Sequence, residues 1–339
     1  MRNDTRVAFN AYLDALAQLN GIESAREKFT VSPTVQQKLE QKIQASSAFL
    51  QSIGVYGVDE QSGSKIGLGI GQPIAGTTDT TQKDRVPVDP TTLDEDGYFC
   101  TQTNFDTAIR YALLDAWAKF PEFQTMIRDA IVKRQGLDRI CIGFNGKARV
   151  ATSDRAANPL LQDVNVGWLQ KIRVNAPDRY MHEHVEGSGK IKVGNVAGSD
   201  YKNLDALVYD ALSLLDPWYR DDPQIMVVVG SDLLADKYFP VINSSNAATE
   251  MAALDMVVSS KRMGGKQAVT VPYVPANTLM ITKLPNLSMY YQNGARRRTI
   301  VDNAKRDQIE NYESSNEAYV VEDHGGAVLI ENIEIEAAA

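Results

Sequence analysis

The longest helical pattern in the chain runs from Phe120 to Gly146. Its apolar residues recur at steps of three and four and form one stripe: Phe123, Met126, Ile127, Ala130, Ile131, Leu137, Ile140, Cys141 and Phe144. Pro121 suits the first turn of a helix, and Asn145-Gly146 supplies its end. At about 1.5 Å per residue, roughly 24 residues make a rod on the order of 36 Å. The pattern predicts a helix against which other elements pack, and an ordinary core helix has the same pattern.

Two shorter amphipathic patterns come before any strand pattern. The first predicts a helix that ends at Asn20-Gly21 and has these apolar residues on one side: Phe9, Tyr12, Leu13, Leu16 and Leu19. A charged link from Glu23 to Lys28 follows, so this helix is predicted to be a detachable unit. Ser32-Pro33 indicates the start of a second helix, with Val35, Leu39, Ile43 and Leu50 on its apolar side. The first helix suits packing on its own domain, the simpler interpretation, or binding to a partner.

Strand patterns dominate from Ile53 to Tyr111, at Ile53–Val58, Lys65–Ile70 and Tyr98–Tyr111. Between the last two strand patterns lies Gly71–Gly97, which is rich in Thr, Asp, Pro and Gly. A polar loop of roughly 27 residues is uncommon inside a compact domain and usually serves as a binding arm or a lid, or is disordered. We expect an arm that reaches another molecule.

The rest of the chain mixes helices and strands. Ser199 is a candidate cap for a helix that reaches Leu215 and stops before Pro217. The apolar run Ile225–Val229 predicts a strand covered on both faces, and Gly230-Ser231 then begins another helix. The remaining predicted elements are a helix, Ala248–Lys261, and six strands, Ala268–Val271, Thr278–Lys283, Leu287–Tyr291, Thr299–Val301, Glu317–Val321 and Ala327–Ile335. The predicted fold class is therefore α+β.

Composition excludes several classes of protein. The 339 residues are 43% apolar, which is ample for a core, and their net charge is −8. Coating nucleic acid needs a dense basic surface, so this charge argues against that role. Two cysteines, Cys100 and Cys141, make no disulfide framework and indicate a reducing compartment. Neither a signal peptide nor an apolar run of roughly 18 residues is evident, so we expect synthesis in the cytosol and no membrane contact.

Short motifs offer little catalytic chemistry. His182-Glu183-His184 has a spacing that suits a strand and lacks the helical HExxH arrangement of zinc proteases, so we assign no metal. Gly187-Ser188-Gly189-Lys190 lacks the first glycine and the hydroxyl residue of a phosphate-binding loop. Asp94–Gly97 lacks the spacing of a calcium loop. We predict no cofactor.

Two other features of the sequence allow more than one interpretation. The strand, turn and helix start at Val227–Ser231 can hold an anion on free N–H groups, although strand-to-helix turns in general look alike. No nucleophile, base and oxyanion site come together in the sequence, so we predict that the chain is not an enzyme. Arg296-Arg297-Arg298 is the one basic cluster. On a strand its members point to both faces, which favours salt bridges between subunits or a solvated edge over contact with nucleic acid.

Several stretches together resemble the major capsid protein precursor of P2-like tailed bacteriophages. They are FNAYLDALAQLNGI, SDRAANPLLQDVNVGWLQKIR, LLDPWYRDDPQIMVVVGSDLLADKYFP, ITKLPNLSMYYQ and NYESSNEAYVVED. The resemblance runs in the same order over nearly the whole chain, which makes it more specific than any short motif. It implies the HK97-like capsid fold, with an N-terminal arm, an extended β-hairpin loop, a peripheral domain that holds a long spine helix, and an axial domain.

The resemblance also implies a division of the chain. Residues 1–29 form an N-terminal helical segment that maturation can remove, residues 30–52 the arm, and residues 53–111 the extended loop region. Residues 112–159 and 302–339 form the peripheral domain, with the spine helix at 121–145, and residues 160–301 form the axial domain.

The implied function is self-assembly into hexamers and pentamers of an icosahedral head around double-stranded DNA, in the cytoplasm of a bacterial host. The implied partners are other copies of the chain, an internal scaffold, a maturation protease, a portal protein and loosely held DNA. Candidate contacts between subunits are Thr77, Thr78, Asp79, Lys83, Asp84 and Arg85 in the loop, and Arg296, Arg297 and Arg298. The maturation cut is expected at Lys28, Phe29 and Thr30. The alternatives are the shell of an encapsulin-like nanocompartment and an α/β enzyme with a site near Gly230.

Overall fold

The computed structural model describes residues 1–65, 69–70, 75–87, 91–92, 97–118, 120, 123–235, 237 and 261–336. Its α-helices are α1 (Asn3–Asn20), α2 (Pro33–Ala45), α3 (Ala48–Ser52), α4 (Tyr111–Trp117), α5 (Phe123–Asn145), α6 (Trp168–Asn175), α7 (Leu204–Ala211) and α8 (Pro217–Arg220). Short 3-10 helices occur at Pro177–Arg179, Leu212–Leu214, Leu284–Asn286, Ala304–Arg306 and His324–Gly326. Residues 231–235 are also helical.

The first ten strands are short. They are β1 (Phe29–Thr30), β2 (Gly54–Val58), β3 (Ser62–Gly63), β4 (Gly69–Ile70), β5 (Thr91–Thr92), β6 (Tyr98–Phe99), β7 (Thr101–Asn104), β8 (Thr107–Arg110), β9 (Tyr180–Met181) and β10 (Ile191–Val193). The later strands are β11 (Met226–Val229), β12 (Arg262–Met263), β13 (Lys266–Thr270), β14 (Leu279–Thr282), β15 (Leu287–Gln292), β16 (Arg297–Asn303), β17 (Gln308–Val321), β18 (Ala327–Ile330) and β19 (Ile333–Ile335).

Two large sheets organise these strands. The seven-stranded sheet has the order β1-β16-β17-β15-β2, and β7 and β8 also pair with the long strand β17. The six-stranded sheet has the order β12-β13-β11-β14-β18-β9. Two-stranded pairs are formed by β10 with β19, β3 with β6 and β4 with β5. Because β17 is 14 residues long, it can pair with four other strands and tie distant parts of the chain together.

Trp168 lies at the centre of the main core, which joins the two sheets through α5 and α6. Its side chain has no exposed surface. The rings of Phe49, Phe144 and Tyr319 meet it edge-on, with centroids 5.9, 5.4 and 5.4 Å away. The indole N–H donates to the Ser288 carbonyl at 2.9 Å, so its polar atom is also satisfied.

Two glycines let other elements approach α5 closely. A Cβ on Gly143 would lie 2.1 Å from Cζ3 of Trp168, and a Cβ on Gly136 would lie 2.6 Å from Oγ of Ser46. Gly136 therefore makes room for the segment between α2 and α3.

Three predictions about local elements are confirmed. The long helix is present as Phe123–Asn145. The first helix ends at Asn20, and Gly21 follows in the left-handed region with φ +66°. The apolar strand is present as Met226–Val229 and is covered on both faces, because Val227 and Val228 belong to different cores.

The predicted second helix is wrong in its length, although its apolar residues do face the core. It ends at Ala45 because Ser46 turns both its N–H and its hydroxyl onto the Ile43 carbonyl, at 3.1 and 2.6 Å. The buried residues of α2 are Gln36, Glu40 and Ile43. The inner face of this helix is therefore more polar than the predicted apolar stripe.

Two further predictions are corrected. The strand pattern Tyr98–Tyr111 breaks into β6, β7 and β8, and Tyr111 begins α4. Ser199 does not cap α7, because its hydroxyl donates to Glu336 at 2.7 Å. Asn203 caps that helix instead, and its side-chain oxygen accepts the Ala206 N–H at 2.9 Å. The helix predicted over Ala248–Lys261 lies outside the described residues except for Lys261, and so does much of Gly71–Gly97.

The two large sheets divide the chain differently from the predicted peripheral and axial ranges. Residues 287–301, predicted to be axial, form β15 and most of β16 in the same sheet as β17. Residues 327–335, predicted to return to the peripheral domain, form β18 in the six-stranded sheet and β19 beside β10. The sheets therefore do not follow the predicted ranges 160–301 and 302–339, because strand pairing between distant segments leaves no local signal.

We predict that Gly143→Ala lowers the free energy of unfolding by about 2 kcal/mol, because the added methyl group overpacks the core against Trp168. The loss should outweigh the gain of about 1 kcal/mol that alanine brings to a helix. Urea unfolding measures it.

Gly76→Ala is the matched control, since a Cβ there meets nothing within 4 Å. We expect that change to shift the free energy of unfolding by about 1 kcal/mol or less. Equal effects of the two substitutions would contradict the packing described for α5.

Candidate functional site

Charged side chains with almost no exposed surface meet between α2, α5 and β17. This buried charge cluster consists of Glu40 on α2, Gln135 and Arg139 on α5, Arg296 just before β16, and Glu313 and Glu317 on β17. Each member is 3% exposed or less. A buried charge is costly unless it is paired and hydrogen-bonded, so the geometry of the pairs decides whether the arrangement is stable.

Arg139 joins α2 to β17. Its Nη1 and Nη2 donate to the two carboxylate oxygens of Glu40 at 2.6 and 3.0 Å. Its Nε and Nη2 donate to Oε1 of Glu317 at 3.1 and 2.6 Å. Two-pronged contacts of this kind fix direction as well as distance, because the guanidinium group is planar.

Arg296 completes the other half of the cluster. Its Nη1 donates to Oε1 of Glu40 at 2.6 Å, and its Nε donates to Oε1 of Glu313 at 2.7 Å. Its Nη2 donates to Gln135 Oε1 at 2.8 Å, and the Gln135 amide donates in turn to Glu313 Oε2 at 3.1 Å. Glu40 therefore lies between two guanidinium groups, Arg139 and Arg296.

The electrostatics keep Glu40 and Glu313 ionised. Burial raises the pKa of Glu40, but Arg139 and Arg296 outweigh it and leave that pKa below its ordinary value. Burial likewise raises the pKa of Glu313, and Arg296 and Arg298 bring it below the ordinary value. Burial lowers the pKa of Arg139, but Glu317 and Glu40 more than compensate, so that pKa lies well above normal.

Most of these buried charged residues were not predicted from the sequence, although one pattern indicates that two of them face the core. Glu313 and Glu317 alternate with the same period as Tyr319 and Val321, which lie in the main core. Side chains two residues apart on a strand point to the same face, so these glutamates had to face inward. Glu40 and Arg139 carried no comparable signal, because charged residues on a helix usually face solvent.

The three arginines at 296–298 have different surroundings. Arg296 has no exposed surface, so the prediction that it contacts another subunit or lies on a solvated edge is wrong. Arg298 is half-buried and donates to Asn311 at 2.6 Å and to the Tyr12 hydroxyl at 3.0 Å. Arg297 is exposed and makes no ion pair within the described residues. Of these three arginines, Arg297 is the one with an exposed side chain.

The predicted loop contacts lie on the surface. Every residue from 75 to 87 is exposed, which includes Thr77, Thr78, Asp79, Lys83, Asp84 and Arg85. Asp79 organises a local turn, because its carboxylate accepts the Thr81 hydroxyl at 2.6 Å and the Thr81 N–H at 3.0 Å. These two hydrogen bonds lower the pKa of Asp79. The segment is therefore accessible to another molecule.

The predicted cleavage region is partly built into the seven-stranded sheet. Phe29 and Thr30 pair with Arg298 and Arg297 as strand β1, and Phe29 is buried. Lys28 is exposed just before this strand. A protease that needs an extended substrate must therefore open β1 or cut at its exposed start.

The turn at Gly230 offers little for catalysis. Ser231 and Asp232 are exposed and hydrogen-bond to each other at 3.4 Å. A Cβ on Gly230 would meet only carbonyl oxygens, those of Val274 and Pro275, both at 3.7 Å. The proposed anion site near this turn therefore has carbonyl groups beside it, which repel anions.

The side chains of His182-Glu183-His184 also make local contacts among the described residues. His182 stacks on Tyr180 with ring centroids 4.9 Å apart, and His184 contacts the Tyr201 ring. The Glu183 carboxylate accepts the Gly189 N–H at 2.9 Å, so an acidic side chain occupies the glycine loop that follows. Among the described residues, no group of three or more His, Cys, Asp or Glu side chains is placed to hold a metal ion. No helix in the described ranges is long and apolar enough to cross a membrane.

We predict that acid weakens the folded state through the buried charge cluster. Glu40 and Glu313 have lowered pKa values when folded, so their stabilisation is complete above the ordinary value of 4.5 and is lost as the pH falls through the lowered values. Glu40→Gln should cost about 3 kcal/mol or more at pH 7, because it leaves Arg139 and Arg296 short of negative charge. It should also weaken the acid dependence, as followed by urea unfolding from pH 7 downward.

Glu23→Gln, which removes an exposed carboxylate, is the control, and its effect should stay within about 0.5 kcal/mol. Equal stability and equal acid dependence for the two variants would show that the cluster does not carry this effect.

Comparison with known proteins agrees with the resemblance in the sequence. The profile of the family described as "Phage major capsid protein, P2 family" matches residues 8–333. The chain is 50% identical to the "Capsid proteins" sequence of Escherichia phage P2, over 99% of this chain and 96% of that one. It is 41% identical to the "Major capsid protein" of Serratia phage KSP20, over 98% of this chain and 97% of that one.

Solved structures show the same relationship. A chain of the "Satellite phage P4 procapsid including size determination (Sid) protein" is 48% identical, with a TM-score of 0.84 and full coverage of both chains. The "Cyanophage A-1(L) capsid asymmetric unit" is only 11% identical, with a TM-score of 0.50 over 84% of this chain and 92% of that one, and so indicates the fold alone. The predicted HK97-like α+β fold is thereby confirmed, and the chain belongs to the P2 family of phage major capsid proteins.

Proposed function

We propose that the chain forms the hexamers and pentamers of an icosahedral phage head that encloses double-stranded DNA. The observation that best supports this role is the 50% identity to the phage P2 capsid sequence over 99% of the chain. Family membership favours this role over a nanocompartment shell or an enzyme. The partners that such a head would need are an internal scaffold, a maturation protease and a portal protein.

The charge of the chain suits a DNA container. The net charge of −8 avoids the strong attraction to phosphate that a basic lining would produce. DNA would be held loosely and without specific contacts, so that it could be packaged and released.

The fold suggests how the parts divide this work. We assign the seven-stranded sheet and α5 to the peripheral domain, with α5 as the spine helix, and the six-stranded sheet with α7 to the axial domain. The stretch between β2 and β7 is assigned to the extended loop. It leaves the seven-stranded sheet after Val58 and returns at Thr101. An arm with both ends on one rigid sheet can reach a neighbouring subunit without disturbing the core.

Two surfaces are proposed to contact neighbouring subunits. One is the exposed loop segment from Thr77 to Arg85, whose polar and charged side chains face solvent in the single chain. The other is Arg297, an exposed guanidinium that makes no ion pair within the described part of the chain. Both can pair with polar groups on a second copy.

The proposed maturation cut lies at the start of β1, at Lys28, Phe29 or Thr30. Lys28 is exposed, whereas Phe29 is buried among apolar residues of the N-terminal region. Exposure therefore favours a cut beside Lys28 unless the strand opens. The mass of the chain in mature particles tests this proposal, and an intact Met1 end there would rule it out.

We predict that deletion of Thr77–Asp84 and the charge reversal Arg297→Glu each lower the yield of closed shells and leave the fold of the subunit unchanged. The reason is that all these residues are exposed in the single chain, so they matter only when a neighbour is present. Shell yield is measured by sedimentation and electron microscopy, and the fold by thermal unfolding of unassembled subunits.

Arg306→Glu is the control for Arg297→Glu, because it makes the same change of charge at another exposed position. Normal shell yield and shell stability in the loop deletion would refute the role of the loop. Equal yields for the two arginine variants would refute the role of Arg297.

A further inference from the structure

Helix α1 lies in a groove formed by α4, the first half of α5, β16 and β17. The floor of this groove is apolar and consists of Tyr111, Leu114, Ile127, Ile300 and Ile309, all of them buried in the complete chain. These residues come from four separate elements that other contacts already hold in place. Each of these elements also packs on a part of the chain other than α1, as α4 does on β8, α5 on α2, and β16 on β17.

The helix fits the groove as a docked peptide would. Its buried residues, Thr5, Phe9, Leu13 and Ala17, recur at every fourth position and form one narrow stripe. Its outer face includes Leu19, which is 60% exposed. An amphipathic helix that lays one stripe into an apolar groove is a common mode of peptide recognition.

Polar contacts at the rim select the direction and charge of the helix. The Arg6 guanidinium pairs with the Asp302 carboxylate at 3.2 Å. The Arg2 N–H donates to Asp115 at 2.9 Å, and the Tyr12 hydroxyl accepts from Arg298 at 3.0 Å. The groove thus presents two carboxylates to the basic start of the helix, which is a complementary arrangement of charge.

The covalent link between α1 and the rest of the chain is short and mostly exposed. Gly21, Glu23 and Ser24 are exposed, whereas Ala25 is buried and its carbonyl accepts the Ile300 N–H at 3.1 Å. The contacts that hold α1 in place are thus made by the helix itself. A cut in the link would break none of the contacts between α1 and the groove.

We propose that this groove is a binding site for the amphipathic helix α1, and that the N-terminal segment stays bound in it after the chain is cut between α1 and β1. The biological setting rests on the proposed maturation cut. The binding itself does not, because it depends only on the groove and the helix. A bound segment would keep the apolar floor covered in the cut chain.

The test introduces a cut that does not need the natural protease. A recognition sequence for a specific protease is inserted between Glu23 and Ser24 in the full chain, and the cut protein is passed over a size-exclusion column under native conditions. We expect residues 1–23 to elute with the rest of the chain, as detected by mass spectrometry. Elution of the peptide by itself would overturn the proposal and leave the proposed head assembly untouched.

Two matched variants test whether the groove is responsible. Leu13→Asp places a charge in the buried stripe and should weaken retention by about 30-fold or more, the loss expected for removing a buried leucine. Leu19→Asp makes the same change on the exposed face and should be retained like the original peptide. Equal retention of both peptides would contradict binding through the stripe.

Arg6→Glu gives an independent reading if Leu13→Asp prevents folding. Its side chain is half exposed, so the fold should tolerate it, and it turns the pair with Asp302 into a repulsion. We expect faster release of the cut peptide at low salt and a smaller difference at high salt. No change at low salt would contradict the role of the acidic rim.

Discussion

The buried charge cluster is the constraint on which the rest of the structure depends. Three carboxylates and two guanidinium groups share one buried space, and they come from α2, α5, the residue before β16, and β17. Buried ion pairs add little net stability compared with apolar packing, but breaking one leaves an uncompensated charge and is costly. The cluster therefore destabilises every arrangement in which these four segments do not meet. It favours one relative placement of α2, α5 and the seven-stranded sheet.

That placement determines the strand register as well. Glu313 and Glu317 lie on the same face of β17, and a slip of one residue would turn both away from Arg139 and Arg296. The same strand pairs with β7, at which the chain returns to the sheet after the exposed loop region, and with β8, β15 and β16. The rigid inner part of the molecule can thus support a loop and an N-terminal helix that make their contacts elsewhere. A shell subunit needs this combination, because its interfaces must be held in fixed directions.

The sequence predicted the elements whose evidence is local. The long helix, the end of α1 at Gly21 and the buried strand at Val227–Val229 follow from periodicity and from the conformation that glycine allows. It failed where the evidence is not local. The inner face of α2 carries Gln36 and Glu40, which a hydrophobic pattern assigns to solvent. The hydrogen-bond partners of both side chains lie far away in the sequence. The sheets to which the strands after residue 287 belong could not be predicted for the same reason, since pairing with β17 or β14 depends on distant segments. Of the candidate surface residues, the loop positions and Arg297 are exposed as expected, whereas Arg296 belongs to the interior.

Self-assembly is the central claim, and negative-stain electron microscopy with light scattering tests it most directly. The purified chain would be examined when expressed alone and when expressed together with its candidate internal scaffold. Closed shells or rings of five and six subunits are the predicted result. A stable monodisperse monomer or dimer in both preparations would contradict the claim.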